Sequence, residues 1–420
     1  MNKRGQLLAV AGCLTLASSF LITASPPATA AATCHGKPAK VLTVTDEQWS
    51  FDGTAGDDVV ILRGDAWASD PRFEGKGGDD TVCVESGGAS VDGDSGNDWI
   101  SAERAREGVT LDGGAGEDTL IGSRYTDHVY LSDGDDVVRA GGGRDFITLA
   151  TDLAVTDGHD IRGGSGKDEM SFWGFQAPAM TVRMDNGTVR TEQGRLARFQ
   201  GVNKYIINGS GHVTGSDKAD NIHVSGAISL NAGGGNDRID VETTGAVHAG
   251  SGDDQVEIEQ GSNRFGTVKL GPGDDTVTLW SGKKGTIRGG SGDDRFQLKV
   301  RDDNPDDDSY PYTGATFLGQ SGKDTLAWRC KATVNAAKER LRCAKDRAKI
   351  SFGGMQAYQG GKRKDTFRGS SRGDVFHGGA GKDTMYGKKG RDTLIGGKGY
   401  DIAHGGKGKD SCRAEKKYSC

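Results

Sequence analysis

From Gly360 to Arg413 the chain is an unbroken run of nine-residue units: GGKRKDTFR, GSSRGDVFH, GGAGKDTMY, GKKGRDTLI, GGKGYDIAH and GGKGKDSCR. Asp365, Asp374, Asp383, Asp392, Asp401 and Asp410 therefore recur at one fixed interval, with an apolar position two residues after most of them. A unit this short cannot enclose a core of its own. It gains one only by stacking on copies of itself, so the period itself selects a solenoid. A second run, from Gly113 to Thr148, places Asp118, Asp127, Asp136 and Asp145 at the same spacing. Single copies recur at GTAGDDVVI from Gly53, GKGGDDTVC from Gly75, GDSGNDWIS from Gly93, GGSGKDEMS from Gly163 and AGGGNDRID from Ala232. Others are AGSGDDQVE from Ala249, LGPGDDTVT from Leu270, GGSGDDRFQ from Gly289 and GQSGKDTLA from Gly319. Short apolar segments such as Val109-Thr110-Leu111 and Thr316-Phe317-Leu318 precede several of them, which gives a coil of strand, turn, strand and turn.

The residue types explain what such turns can bind. Glycine at the first, second and fourth positions permits left-handed backbone and lets the chain turn tightly enough to aim carbonyl oxygens inward. Aspartate at the sixth adds a hard anionic oxygen, and six to eight such oxygens suit Ca²⁺. Neither histidine nor cysteine belongs to the unit, which argues against zinc or copper. With 69 glycines and 34% hydrophobic residues in 420, the chain has too little apolar surface to offset the entropy of ordering by burial alone. Piled-up aspartates would repel one another without a cation, so folding is expected to depend on calcium. The net charge of −6 speaks against nucleic acid as a partner.

The unit GGxGxDxUx, with U a large apolar residue, resembles the nonapeptide of the haemolysin-type (RTX) calcium-binding family. The resemblance implies an all-β fold, a right-handed parallel β-roll in which GGxGxD forms the turns and xUx the strands. It also implies several bound Ca²⁺ ions. The candidate ligands are Asp58, Asp80, Asp98, Asp118, Asp136, Asp145, Asp168, Asp237, Asp254, Asp275, Asp294, Asp324, Asp374, Asp383, Asp392, Asp401 and Asp410. Asp127, Asp220 and Asp365 are weaker candidates. Tyr125, Lys218 and Arg363 stand in their copies where the family has its fourth glycine, as Arg372 does before Asp374.

Lys3 and Arg4, the apolar run Leu7 to Ile22 and the small residues Ala28-Thr29-Ala30 read as a secretory signal peptide over residues 1–32. Val10-Ala11-Gly12-Cys13 also fits a lipoprotein box, which would anchor the chain at Cys13. Nothing else approaches the length of a membrane-spanning helix. The product is expected outside the cell, where removal of the signal with Cys13 leaves an even set of six of the seven cysteines to pair. Proximity favours Cys330 with Cys343 and Cys412 with Cys420, leaving Cys34 to close on Cys83.

Two stretches break the period, about 172–211 and 328–358, and they resemble each other. Thr181-Val182 matches Thr333-Val334, and Phe199-x-Gly201-x-x-x-Tyr205 matches Phe352-x-Gly354-x-x-x-Tyr358. We read two tandem modules, 33–225 and 226–420, each with coils that lack calcium turns. Ala336 to Leu341 could instead form a helical turn. Cys412 to Cys420 reads as a disulfide cap. Asp302, Asp303 and Asp306 to Asp308 form an acidic loop beside Tyr310 and Tyr312. Lys364, Lys382, Arg391 and Lys409 precede their aspartates and would make a basic stripe toward cell-wall or matrix polyanions, or else balance the stacked carboxylates.

No HExxH helix or phosphate-cradling loop occurs, and Gly369-x-Ser371-x-Gly373 lies inside a nonapeptide rather than at a strand-to-helix turn. The expectation is a non-enzymatic, extracellular, calcium-loaded β-roll that presents a rigid surface. The alternative is a parallel β-helix enzyme acting on acidic polysaccharide. Partner and oligomeric state are not legible in the residues.

Overall fold

The computed structural model describes residues 32–64, 71–150, 158–173, 179–192, 194–243, 245–258, 265–280, 284–299, 314–343 and 349–420. Residues 1–31 of the signal-peptide segment and the acidic loop with Tyr310 and Tyr312 lie outside them. The chain winds as a parallel β-solenoid whose strands pair with the next strand but one, so each coil places one short strand on each of two facing sheets. Among the described residues the only helical element is a 3₁₀ turn, Ala336–Lys338.

The apolar position of each unit points between the sheets. In one sheet Phe73, Val91, Leu111 and Val129 fall in register across successive coils, all fully or almost fully buried. In the other, Val82, Ile100, Leu120 and Val138 do the same. The alternation that buries them turns their neighbours outward. Parallel strands this short hold register because a slip of one residue would expose the whole column. Near the second irregular stretch both columns become aromatic: Tyr358 and Phe376 on one sheet meet Phe352 and Phe367 on the other, with Phe352–Tyr358, Tyr358–Phe376 and Phe376–Phe367 ring separations of 5.5, 5.4 and 5.2 Å.

Both irregular stretches are more than plain coils. Met180–Arg183, Thr188–Thr191 and Gly194–Gln200 form an antiparallel three-stranded excursion, which joins the parallel sheet at its two outer strands. Ala332–Asn335, Arg340–Cys343 and Lys349–Gly353 repeat that arrangement. The facing sheet passes directly from Glu169–Trp173 to Lys204–Thr214, and from Thr325–Ala327 to Ala357–Gln359. Two extra strands are thus inserted on the same sheet at both places. The strand Asn221–Asn231 runs through residues 225 and 226 without interruption.

The three pairings expected from proximity are formed, Cys34–Cys83, Cys330–Cys343 and Cys412–Cys420. The first holds the hairpin of Thr33–Cys34 and Lys37–Pro38 against the solenoid, where His35 stacks on Trp99 at 4.1 Å. The second bridges the antiparallel pair within its excursion. The third closes the final strand, Lys416–Tyr418, over Ile402–Lys407.

Candidate calcium turns

A nonapeptide is half a coil, so successive copies alternate between the two edges and aspartates on one edge stack at every second copy. Each stack is a ladder in which the backbone N–H of one aspartate donates to Oδ1 of the next. Asp58, Asp80, Asp98, Asp118 and Asp136 form one stack, linked at 2.8, 2.7, 2.8 and 3.0 Å. Asp127, Asp145 and Asp168 form a second on the opposite edge. The longest runs from Asp220 through Asp237, Asp254, Asp275 and Asp294 to Asp324. Asp365, Asp383 and Asp401 make a fourth, and Asp374, Asp392 and Asp410 a fifth. The structure therefore brings all twenty sequence candidates into five rows.

Oδ1 is used by the ladder, and what Oδ2 does divides the rows. Fourteen turns share two properties, those of Asp80, Asp98, Asp118, Asp145, Asp168, Asp237, Asp254, Asp275, Asp294, Asp324, Asp383, Asp392, Asp401 and Asp410. Their Oδ2 is buried without a hydrogen-bond donor, and their second and fourth residues are left-handed. A buried unpartnered carboxylate oxygen carries the full cost of its lost hydration, which a cation would cancel. The surroundings fit one: a Cβ on Gly75 would collide with Asp80 Oδ2 and with the carbonyl oxygen of Gly93 in the next turn. Gly93 stands in the same relation to Asp98 and Gly113, and Gly387 to Asp392 and Gly405. The space beside Oδ2 of Asp80, Asp98 and Asp392 is thus faced by a carboxylate and a carbonyl from consecutive turns, hard donors of the kind Ca²⁺ takes. Among the described residues no three His, Cys, Asp or Glu side chains gather as a metal group, so most ligands would have to be backbone carbonyls.

Burial pushes the carboxyls of Asp98, Asp118, Asp145, Asp237, Asp275 and Asp294 up to about 7. It pushes those of Asp80, Asp254, Asp383 and Asp392 up to about 6. The ladder N–H opposes the rise in each, and neighbouring carboxylates add to it, as Asp118 and Asp80 do at Asp98.

Four other candidates are satisfied by the protein. Oδ2 of Asp58, Asp127, Asp220 and Asp374 accepts the N–H of Thr54, Ser123, Ser216 and Ser370 at 2.6, 2.6, 2.7 and 2.6 Å. Asp136 Oδ2 lies 3.1 Å from His159 Nδ1, the same nitrogen that accepts the Asp136 N–H. Asp365 accepts the Ala332 N–H on Oδ1 at 2.6 Å and keeps a buried Oδ2 without a donor, as the fourteen do, but Gly361 and Arg363 are not left-handed; burial pushes its carboxyl up to about 7.

The rows also end on residues the repeat does not contain. The N–H of Asp136 donates to His159 Nδ1 at 3.2 Å and that of Asp168 to Asn203 Oδ1 at 2.9 Å. Asp324 donates to Gln356 Oε1 at 2.7 Å and Asp401 to Glu415 Oε2 at 2.7 Å. Asn203 and Gln356 occupy the same place in the two Phe-x-Gly-x-x-x-Tyr segments. Gly201 and Gly354 there share a left-handed φ of 71° and 75°, and both tyrosine hydroxyls donate to a carbonyl three residues back. A shared amide inside that motif is the signal by which these two ends are legible.

The fifth position carries a second, exposed row. Asp79 N–H donates to Asp57 Oδ1, Asn97 to Asp79 and Glu117 to Asn97, and the same pattern links Asn236, Asp253, Asp274, Asp293 and Lys323. Lys364, Lys382, Arg391 and Lys409 are exposed at that position. They divide between the two edges, because consecutive nonapeptides do, and so form two short rows rather than one stripe.

Solenoid and rows together define a calcium-binding β-solenoid. Comparison with known families agrees: a model described as the RTX calcium-binding nonapeptide repeat (4 copies) matches residues 112–147, 359–394 and 386–415, and over those segments the chain carries that repeat. No curated protein matches. Among solved structures the chain is similar to the X-ray crystal structure of a hyperactive, Ca²⁺-dependent, beta-helical antifreeze protein from an Antarctic bacterium. The identity is 19% over 90% of this chain and 88% of that one, with a TM-score of 0.29.

Proposed function

We propose that this is a secreted, non-enzymatic protein whose solenoid is set by calcium in the fourteen turns with unpartnered Oδ2 atoms, and that it presents a rigid surface to extracellular polyanions. The observation that carries the reading is the row of buried, unpartnered carboxylate oxygens, with a carbonyl of the next turn facing the same space at Gly75, Gly93, Gly163, Gly289, Gly378 and Gly387. Calcium would supply positive charge between consecutive turns and fill the oxygen cradle they make. The chain's own residues do the rest. Glycines bring the carbonyls close, the ladder N–H groups fix each carboxylate by Oδ1, and the apolar columns hold the coils in register. Secretion is supported by the signal-peptide pattern and by three disulfides, which suit an oxidising compartment. An enzymatic role is disfavoured because the unpartnered carboxylates lie under the turns, out of reach of a glycan. The polyanion surface is the carboxy-terminal array. There Lys364, Lys382, Arg391 and Lys409 are exposed, and Tyr386, His404 and Tyr418 stack at 4.8 and 4.5 Å on neighbouring strands.

The test is circular dichroism and thermal unfolding with calcium and with EGTA. Loss of the β signal, or a large fall in Tm, on chelation is expected. An identical spectrum and Tm in EGTA would overturn the calcium role. Binding of a uronic-acid polymer that weakens with salt is expected of the surface, and binding unchanged by neutralising Lys382 and Arg391 would remove it.

A further inference from the structure

The four aspartates held by Thr54, Ser123, Ser216 and Ser370 are not scattered. Asp58, Asp127, Asp220 and Asp374 are each the first member of a row. Their turns share a backbone that the fourteen turns lack. Neither the second nor the fourth residue is left-handed, even where the fourth is glycine, as at Gly56. In these four the hydroxyl holds that form, whereas the Asp365 turn, with Gly361 and Arg363, shares the backbone but gives its Oδ2 no donor. Thr54, Ser123, Ser216 and Ser370 accept the N–H of the fourth residue, Gly56, Tyr125, Lys218 and Arg372, at 3.3, 3.0, 3.1 and 3.0 Å. That bond fixes the bend in a right-handed form, and it turns the N–H of the second residue onto Oδ2. In the other class the second residue stays left-handed even when it is not glycine, at φ 75° in Lys76, 67° in Asp94, 82° in Gln320 and 80° in Lys388. Side chains seldom accept that conformation, so something in those turns demands it.

We infer that Thr54, Ser123, Ser216 and Ser370 are metal-excluding caps: each replaces calcium at the leading turn of its row with its own amide, so four of the five rows begin on a turn that takes no ion. This rests on the calcium reading of the fourteen turns. A hydroxyl at the second position makes the cap where it takes the fourth N–H; Ser132, second in the Asp136 turn, donates to Asp112 Oδ1 instead, and Gly134 there stays left-handed. Where the cap forms, an amide already donated to Oδ2 occupies the place where the cation's charge would act. A row thereby acquires an end that is complete without calcium. Its remaining turns stack onto that end, in the way a helix builds from a capped first turn.

Native mass spectrometry of the full chain in calcium counts the ions directly. Thr54→Gly, with Gly56 already at the fourth position, and the double variant Ser370→Gly/Arg372→Gly are each expected to add one ion. The reciprocal variant Lys388→Ser/Gly390→Arg copies the Ser370 turn into a calcium turn and is expected to lose one. Folding is checked by circular dichroism, and the reciprocal variant decides the matter if the gain-of-site proteins do not fold. Ion counts equal to wild type in folded Thr54→Gly and in the reciprocal variant overturn the inference. A wild-type protein that binds no calcium at all removes the calcium reading beneath it instead.

Discussion

His159 Nδ1 sits 3.2 Å from the backbone nitrogen of Asp136 and 3.1 Å from that residue's Oδ2, with both side chains buried. The imidazole stands where every earlier coil of the row places an aspartate, and it ends the row by accepting the last ladder N–H. His159→Leu leaves that N–H buried without an acceptor and is expected to cost about 1–3 kcal/mol. His159→Asn supplies an acceptor of the kind Asn203 provides and is expected to recover most of the loss. Denaturant unfolding in excess calcium reads both values, and equal stability of the two variants would contradict the role.

Asp275 separates ladder from ligand. Asp275→Asn keeps an Oδ1 that accepts from Asp254 but removes the charge, so it is expected to lose one ion while largely preserving the fold. Asp275→Ala also orphans the Asp254 N–H and is expected to cost a further 1–3 kcal/mol or so. Native mass spectrometry and unfolding measured on the same preparations check the pair.

Acid should act in opposite directions on the two states of the protein. In the metal-free fold burial raises carboxyls such as Asp98 and Asp275 to about 7 from an ordinary value near 4, so between those limits the folded chain holds more protons than the unfolded one. Its stability is therefore present at the acid end and lost as pH rises through that window. With EGTA present, Tm is expected to fall from pH 4.5 to 7. Calcium competes with those protons, so its apparent affinity is expected to fall as pH drops from 7.5 to 5.5. Titration calorimetry at the two pH values, with the proton release it implies, is the measurement.

Phe376 lies between Tyr358 and Phe367, at ring separations of 5.4 and 5.2 Å, and is fully buried. Phe376→Ala opens a cavity beside the second excursion and is expected to cost about 3–5 kcal/mol with the ion count unchanged. A loss of ions with little loss of stability would show that the aromatic column serves the turns rather than the core.

The nine-residue period made the coil, its inward columns and the stacked aspartates legible, because Asp383 and Leu394 repeat their neighbours' places closely. It did not separate loaded from self-capped turns. Replacement of the fourth glycine by Tyr125 or Lys218 pointed to the weaker sites, but the capping group sits on the second residue, and Thr54 caps a turn whose fourth residue is still glycine. The excursions were legible as irregular and as related to each other. Their antiparallel path was not, since Thr181-Val182 reads as a strand in either direction. His159 and Glu415 were hidden for a different reason: each acts through one long-range hydrogen bond that leaves no local pattern.

Glu415 and the strand after it have a consequence for the molecule as a particle. The last coil presents the same unpaired edge by which every coil receives its successor, and left bare it would template another chain as readily as its own. Glu415 takes the Asp401 N–H and Lys416–Tyr418 pairs in parallel with Ile402–Lys407, so at that coil the seat is filled by the chain's own residues.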